Sequence, residues 1–238
     1  MKIGIAITTY RNENGTTKDN LIRALNSIKD QEYQDYKVYL IGDRYDDDLE
    51  LNHIAESIIP IEKIYCENLE YAVERDKYLG INDEALWSSG GCNARNYANS
   101  IAKSEVEYVC QLDHDDYYLP NHLMNIYNAI NTHPNAAFIH TMANYLDVGA
   151  FPNVDTQQFI IEKLPQPGGI VHSSVCINNK LIPLKYRDVF EEDGELYPSD
   201  ADMWKRVAHM CVNNGLSSYL ICQVSCVHEI ERGKNSGK

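Results

Sequence analysis

Short apolar runs rich in Ile and Val alternate along this chain with longer stretches whose apolar residues recur every three or four positions. The short runs read as buried strands and the longer stretches as amphipathic helices. Ile3 to Thr9 predicts a first strand, and Leu21, Ile22, Leu25 and Ile28 a helix with Thr16, Thr17 and Asp19 near its N-cap. Tyr36 to Gly42 predicts a second strand ending at Asp43. The acidic run Asp46 to Glu50 then opens a helix carrying Leu51, Ile54, Ala55 and Ile58. Ile61 to Cys66 reads as a third strand, Cys92 to Ala102 as a helix with Ala94, Ala98 and Ile101 on one face, and Val106 to Leu112 as a further strand. Between them, Glu67 to Gly91 mixes charges, aromatics and glycines, and reads as a long surface loop with some helix in it.

Strand–helix units joined by short connections predict an α/β fold, a Rossmann-like, mostly parallel sheet with helices on both faces. Ligands of such sheets bind beyond the carboxyl ends of the strands. The polar residues after the first strand (Thr8 to Arg11), after the second (Asp43) and after the strand ending at Leu112 therefore belong to one rim. That last exit, Asp113-His114-Asp115-Asp116, puts three carboxylates into four positions, followed by Tyr117, Tyr118 and Pro120 and a helix over Asn121 to Ile130. Neighbouring carboxylates repel unless a cation sits between them, and clustered hard oxygens suit Mg²⁺ or Mn²⁺ shared with substrate phosphates.

Downstream the texture changes. Ala136 to Leu146 predicts a strand, Gly149 to Gly169 a loop-rich excursion, Ile170 to Ile177 a strand and Val189 to Tyr197 an exposed acidic segment. Asp200 to Val212 reads as a helix, Leu216 to Val227 as a last strand and Glu229 to Lys238 as a basic, mobile tail. We read one domain, whose architecture shifts after about Asp147 from a nucleotide type (residues 1–147) to an acceptor type (residues 148–238).

Charge narrows the partners. With 35 acidic against 21 basic residues the net charge is −14, which argues against nucleic acid or anionic membrane. No apolar run is long enough to cross a bilayer. Seven cysteines without CxxC or metal-ligand spacing, several inside apolar runs, read as reduced thiols and favour a cytoplasmic setting. Seventeen tyrosines against four phenylalanines favour surfaces that offer both an apolar face and a hydroxyl, as carbohydrate sites do.

Four stretches together resemble glycosyltransferase family 2: ITTYRNE at the first strand exit, LIRALNSIKDQEYQDYKVYLIGD, GGCNARNYANSIAKSEVEYVCQLDHDDYYLP and PSDADMWKRV. They cover most of residues 3–207 in the family's order and spacing. The resemblance implies a GT-A fold, a nucleotide-diphosphate sugar donor (UDP or dTDP), a glycan or other hydroxyl acceptor, Mn²⁺ or Mg²⁺, and inversion at the anomeric carbon. It places Thr9 and Arg11 beside the base and Asp43 on the N3–H of uracil or thymine. A carboxylate only accepts, so it suits an imide better than cytosine. The family's Gly-Ser after this Asp is replaced here by Arg44-Tyr45.

The resemblance likewise places Arg95 near the phosphates and Asp113 on the nucleotide sugar. Asp115, Asp116 and His228 are the metal ligands, with Asp115 first and the register open by one residue. Asp200 inherits the catalytic base, although Ser199 stands where the family has a Glu. Its loss leaves a second reading, a non-catalytic module that binds nucleotide sugars or glycans. A helix-cap role for Asp200 or Ser199 is the plainer alternative. His172 reads as structural and Trp204 as core, while Tyr117 and Tyr118 are candidates to stack on sugars.

Overall fold

The computed structural model describes residues 1–11, 15–145 and 148–229. Strand β1 (Ile3–Thr9) pairs in parallel with β2 (Tyr36–Gly42) on one side and β4 (Tyr108–Asp113) on the other. β3 (Ile64–Asn68) adds in parallel outside β2. The sheet continues β4–β9–β6–β10–β5, with β5 (Tyr117–Tyr118), β6 (Ala136–Tyr145), β9 (Val175–Asn178) and β10 (Ser217–His228). β9 runs antiparallel to both its neighbours, while β10 and β6 are parallel. Two short strands, β7 (Gly149–Phe151) and β8 (Ile160–Glu162), pair with β6 and β10 from within the loop-rich excursion. The result is a mixed sheet with its parallel half at the N-terminal side.

Alternation along the strands sends side chains to two layers. Ile3, Ile5 and Ile7 with Val38 and Leu40 pack on α1 (Thr17–Lys29), α2 (Asp48–Ile58) and α6 (His122–Thr132). Ala6, Tyr39 and Ile41 face the other way onto Ala94, Ala98 and Ala102 of α5 (Cys92–Lys103). A third cluster centres on Trp204 of α8 (Ser199–Asn214), buried against Phe138 with ring centroids 5.3 Å apart. The core reading of Trp204 therefore holds.

Several expected elements shift. Ile61 is 70% exposed in a 3₁₀ turn after Pro60, so β3 starts three residues later than read. Ile170 to Ile177 holds a 3₁₀ turn, His172–Ser174, before β9. The stretch 67–91 contains two short helices, α3 (Val73–Tyr78) and α4 (Asp83–Ser89), the latter capped by Asn82 accepting from the Ala85 N–H. Residues 189–197 begin with α7 (Val189–Asp193), whose Val189 is buried. Tyr118 is buried too, its ring stacked on His122 and its hydroxyl donating to the Gln111 carbonyl, so it packs the core and is closed to sugars. The expected tail beyond Glu229 lies outside the described residues.

Candidate active site

The strand exits converge as expected. β2 ends at Gly42, where a Cβ would collide with the Asn68 amide, so only glycine lets the chain turn into Asp43 here. Asn68 then fixes the turn by accepting from the Tyr45 N–H and donating to its carbonyl. Asp43 is 2% exposed. One oxygen faces Arg75 Nε at 3.4 Å, and the Arg75 guanidinium also donates to the carbonyls of Asp43 and Arg44. The other oxygen, Oδ1, has no hydrogen-bond partner among the described residues. Burial pushes the Asp43 carboxyl up, against the pull of Arg75, Arg44 and Arg95. Thr9 is fully buried beside this turn, its carbonyl accepting from the Asp43 N–H and its Oγ1 without a hydrogen-bond partner among the described residues. Arg11 is more open and pairs with Glu50 at 3.3 Å.

At the centre of the rim stands Asp113. Its Oδ1 lies 3.2 Å from Arg95 and 3.1 Å from His172 Nδ1. Burial works against its charge, but His172 and Arg95 hold the carboxyl well below the usual range. His172 passes the contact on through Nε2, 3.1 Å from the Tyr186 hydroxyl. Read from sequence as structural, His172 thus orients a site carboxylate. Arg95 reaches this place because α5 starts from Gly91 at φ 77°, a left-handed cap that glycine accommodates.

The acidic turn divides its labour. Asp115 is partly exposed, and burial together with Asp116 and Asp113 outweighs His114 to raise it to about 6. Asp116 is 0% exposed and fully used within the protein. Its Oδ2 accepts from Ser173 Oγ at 2.5 Å and His228 Nδ1 at 3.0 Å, and its Oδ1 accepts from the Glu229 N–H. Ser173 in turn accepts from the Asp113 N–H. Three protein donors therefore hold Asp116. It is the carboxylate that orients His228, as outer partners of metal-binding histidines do. Burial pulls His228 down, but the hydrogen bond and charge of Asp116 raise it to about 9.

No three His, Cys, Asp or Glu side chains stand together at metal-ligand spacing among the described residues. Asp115 and His228 remain as one oxygen and one nitrogen donor. A Mg²⁺ or Mn²⁺ site that fills its other positions with water and substrate phosphates needs no more from the protein. The residues fit such an ion.

Asp200 lies in the first turn of α8, half-buried, its Oδ1 2.8 Å from the Ala201 N–H. Its charge is felt at Arg95 and at Tyr186, which places it on the same rim. Asp202 proves different in kind. It is 1% exposed, gripped bidentately by Arg187 at 2.8 and 2.9 Å and by Arg206 at 2.6 Å. It is a structural ion and not an alternative base.

Sequence reading missed Arg75 and Glu74, adjacent residues of α3. Glu74 is 4% exposed, and its Oε1 accepts from the Asn93 N–H at the start of α5. Burial raises its carboxyl to about 7, against an ordinary value of 4.5. The folded protein thus holds this proton more tightly than the unfolded chain. The stabilisation is complete below pH 4.5 and is lost as the pH rises through about 7. Glu74→Gln keeps the group neutral, so it should melt several degrees above the wild type at pH 8, with the gap closing towards pH 5. Each kcal/mol is worth ~2–4 °C at this chain length. Scanning calorimetry at the two pH values decides it, and an equal gap at both would mean that burial does not retain the proton.

A family model described as glycosyl transferase family 2 matches residues 86–177. A protein of Acanthamoeba polyphaga mimivirus, described as an uncharacterized glycosyltransferase, is 33% identical over 239 residues, covering 97% of this chain and 95% of its own. The chain belongs to glycosyltransferase family 2 and is an enzyme of that class. Among solved structures, Staphylococcus aureus TarS 1–349 in complex with UDP-GlcNAc superposes with TM-score 0.69 at 14% identity, over 100% of this chain and 61% of that one. The mannosyltransferase PcManGT from Pyrobaculum calidifontis, in complex with GDP-Man and Mn²⁺, gives 0.57 at 14% identity, over 97% and 58%. This chain spans about 60% of the length of those solved chains, and the likeness shows a shared GT-A fold. No helix among the described residues is long and apolar enough to cross a membrane.

Proposed function

We propose that the protein moves a sugar from a uridine or thymidine diphosphate sugar to a hydroxyl of a glycan or similar acceptor, inverting the anomeric carbon. The observation that carries this reading is the meeting of five groups on one sheet rim: the open oxygen of Asp43, the Arg95–Asp113 pair, Asp115, His228 and Asp200. Asp43 accepts from the base imide, with Thr9 and Arg11 alongside. Arg95 and Asp113, locked together, present a guanidinium and a carboxylate to the diphosphate and the sugar. Asp115 and His228 would hold Mn²⁺ or Mg²⁺, which when bound neutralises charge on the leaving diphosphate. Asp200 takes the proton of the acceptor hydroxyl as that oxygen attacks. Relatives support the donor class: TarS was solved with UDP and with UDP-GlcNAc, and PcManGT with GDP-Man and Mn²⁺.

Base choice is the direct test. Asp43 Oδ1 would face an acceptor at N3 of cytosine, leaving two buried acceptors opposed. UDP and dTDP should therefore bind at least tenfold more tightly than CDP in competition calorimetry with Mn²⁺. CDP as the tightest ligand would remove Asp43 from the base. The anomeric configuration of a transferred sugar, read by NMR, tests inversion separately.

A further inference from the structure

Beside the rim lies an open-sided cavity of about 450 Å³, walled by α3, the start of α5, residues 185–192 and Arg206 of α8. It adjoins the reaction centre through Tyr186, whose ring lies 5.8 Å from the Arg95 guanidinium and whose hydroxyl meets His172. Most polar groups in its wall already have partners. Arg187 is tied to Asp202, Asp188 receives Lys77 and the Tyr78 hydroxyl, and the Asn96 side chain pairs both ways with the Tyr186 backbone.

Glu74 is the exception. It lines the cavity, is 4% exposed, and has one oxygen on the Asn93 N–H while Oε2 has no side-chain hydrogen-bond partner among the described residues. A buried acceptor left open is costly, and a ligand that donates to it recovers that cost on binding. The chemistry of the wall limits what that ligand is. The wall sets Glu74, Asp188, Glu191 and Glu192 against an anion and Lys185, Arg187 and Arg206 against a cation, and its polar lining disfavours an apolar group. A neutral, hydroxyl-rich ring satisfies all three conditions.

We propose that this cavity is a sugar subsite in which Glu74 Oε2 accepts a hydrogen bond from a pyranose hydroxyl, making Glu74 a specificity-determining residue of the transfer. Occupancy by a pyranose rests on the sugar-transfer reading above. The ring is either the donor's sugar or the acceptor's, and both present the same hydroxyl chemistry. α3 then reads both ends of a substrate complex, Arg75 steadying the base-facing Asp43 while Glu74 faces the sugar.

The variant is Glu74→Gln, which retains the acceptor for the Asn93 N–H and, at pH 8.5, where a carboxyl raised to about 7 is ionised, removes the charge. Two titrations are run on the full chain. Calorimetry with UDP and with UDP-GlcNAc, in Mn²⁺, gives the donor arm. Backbone-amide NMR at Asn93, Asn96 and Arg187, with methyl glucopyranoside, galactopyranoside and mannopyranoside as probes, gives the acceptor arm without any nucleotide. UDP affinity should be unchanged. A loss of at least tenfold for UDP-GlcNAc alone would place the donor sugar in the cavity. A loss of at least tenfold for a methyl glycoside, with UDP-GlcNAc unchanged, would place the acceptor there. Unaltered affinity for every sugar overturns the proposal, as does the absence of any glycoside-induced shift at those amides together with an unaltered UDP-GlcNAc. A protein that binds glycosides but not UDP would sink the donor reading and leave the subsite standing.

Discussion

Asp200→Asn should keep donor binding and lose about 10²–10⁴-fold in transfer rate, the usual contribution of a positioned general base. The amide is nearly isosteric and caps a helix about as well as the acid, so a purely capping Asp200 would show little change in rate or melting. The location favours the base. Asp200 stands at the start of α8 within electrostatic reach of Arg95 and Tyr186. The control has to remove a charge without loosening the fold. Asp202→Asn is unsuitable, because it would leave Arg187 and Arg206 without their buried partner, a change that typically costs about 3–5 kcal/mol. Glu195→Gln, on the exposed approach to α8, removes a charge harmlessly. The measurement is transfer at saturating donor for both variants, with UDP affinity recorded in parallel. Full-rate Asp200→Asn would end the assignment.

Asp115→Asn should weaken UDP binding in Mn²⁺ by at least tenfold while leaving the melting temperature within a degree or two. Asp116 is saturated by protein donors and Asp113 is charge-paired with Arg95 and His172, whereas Asp115 is the carboxylate of the turn that burial and its neighbours leave most in need of a cation. Removing that oxygen removes one of the two donors available to an ion. The side chain is partly exposed, so the fold loses little. Chelation supplies the second arm: wild-type affinity should fall with EDTA to about the level of the variant, and the variant should respond weakly. Equal UDP affinity in EDTA and in Mn²⁺ for the wild type would count against a metal role altogether. His228→Gln should behave in the same direction, since Asp116 aims its ring and no other residue holds it there by hydrogen bond among those described.

Much of this architecture is legible because burial writes itself into periodicity. β1, β2 and α5 follow their apolar patterns almost to the residue, and the acidic turn stands out wherever the eye starts. The short helices α3 and α4 do not. Six and seven residues are too few to show a stripe, and α3 is held by tertiary contacts such as Tyr78 on Phe190 and Lys77 on Asp188. Partners distant in sequence leave no local trace either. Nothing around Asp43 announces Arg75, 32 positions away, and nothing around Asp113 announces His172. Asp116 illustrates the same limit: Ser173, His228 and Glu229 donate to it from far along the chain, and nothing around it in sequence announces them. In sequence alone, a buried ion such as Asp202 and an exposed acid are spelled alike.

The bond between Asp116 and His228 joins residues 112 positions apart, and β10 takes its place between β6 and β5. During synthesis, the ring nitrogen that completes the rim emerges from the ribosome after nearly all of the sheet it docks on. Until that final strand inserts, Asp116 has no imidazole to accept from, and its neighbours have no fixed nitrogen beside them. Nascent chains can therefore fold the nucleotide-side strands without assembling a competent centre. Competence arrives late and all at once, with the closing of the sheet.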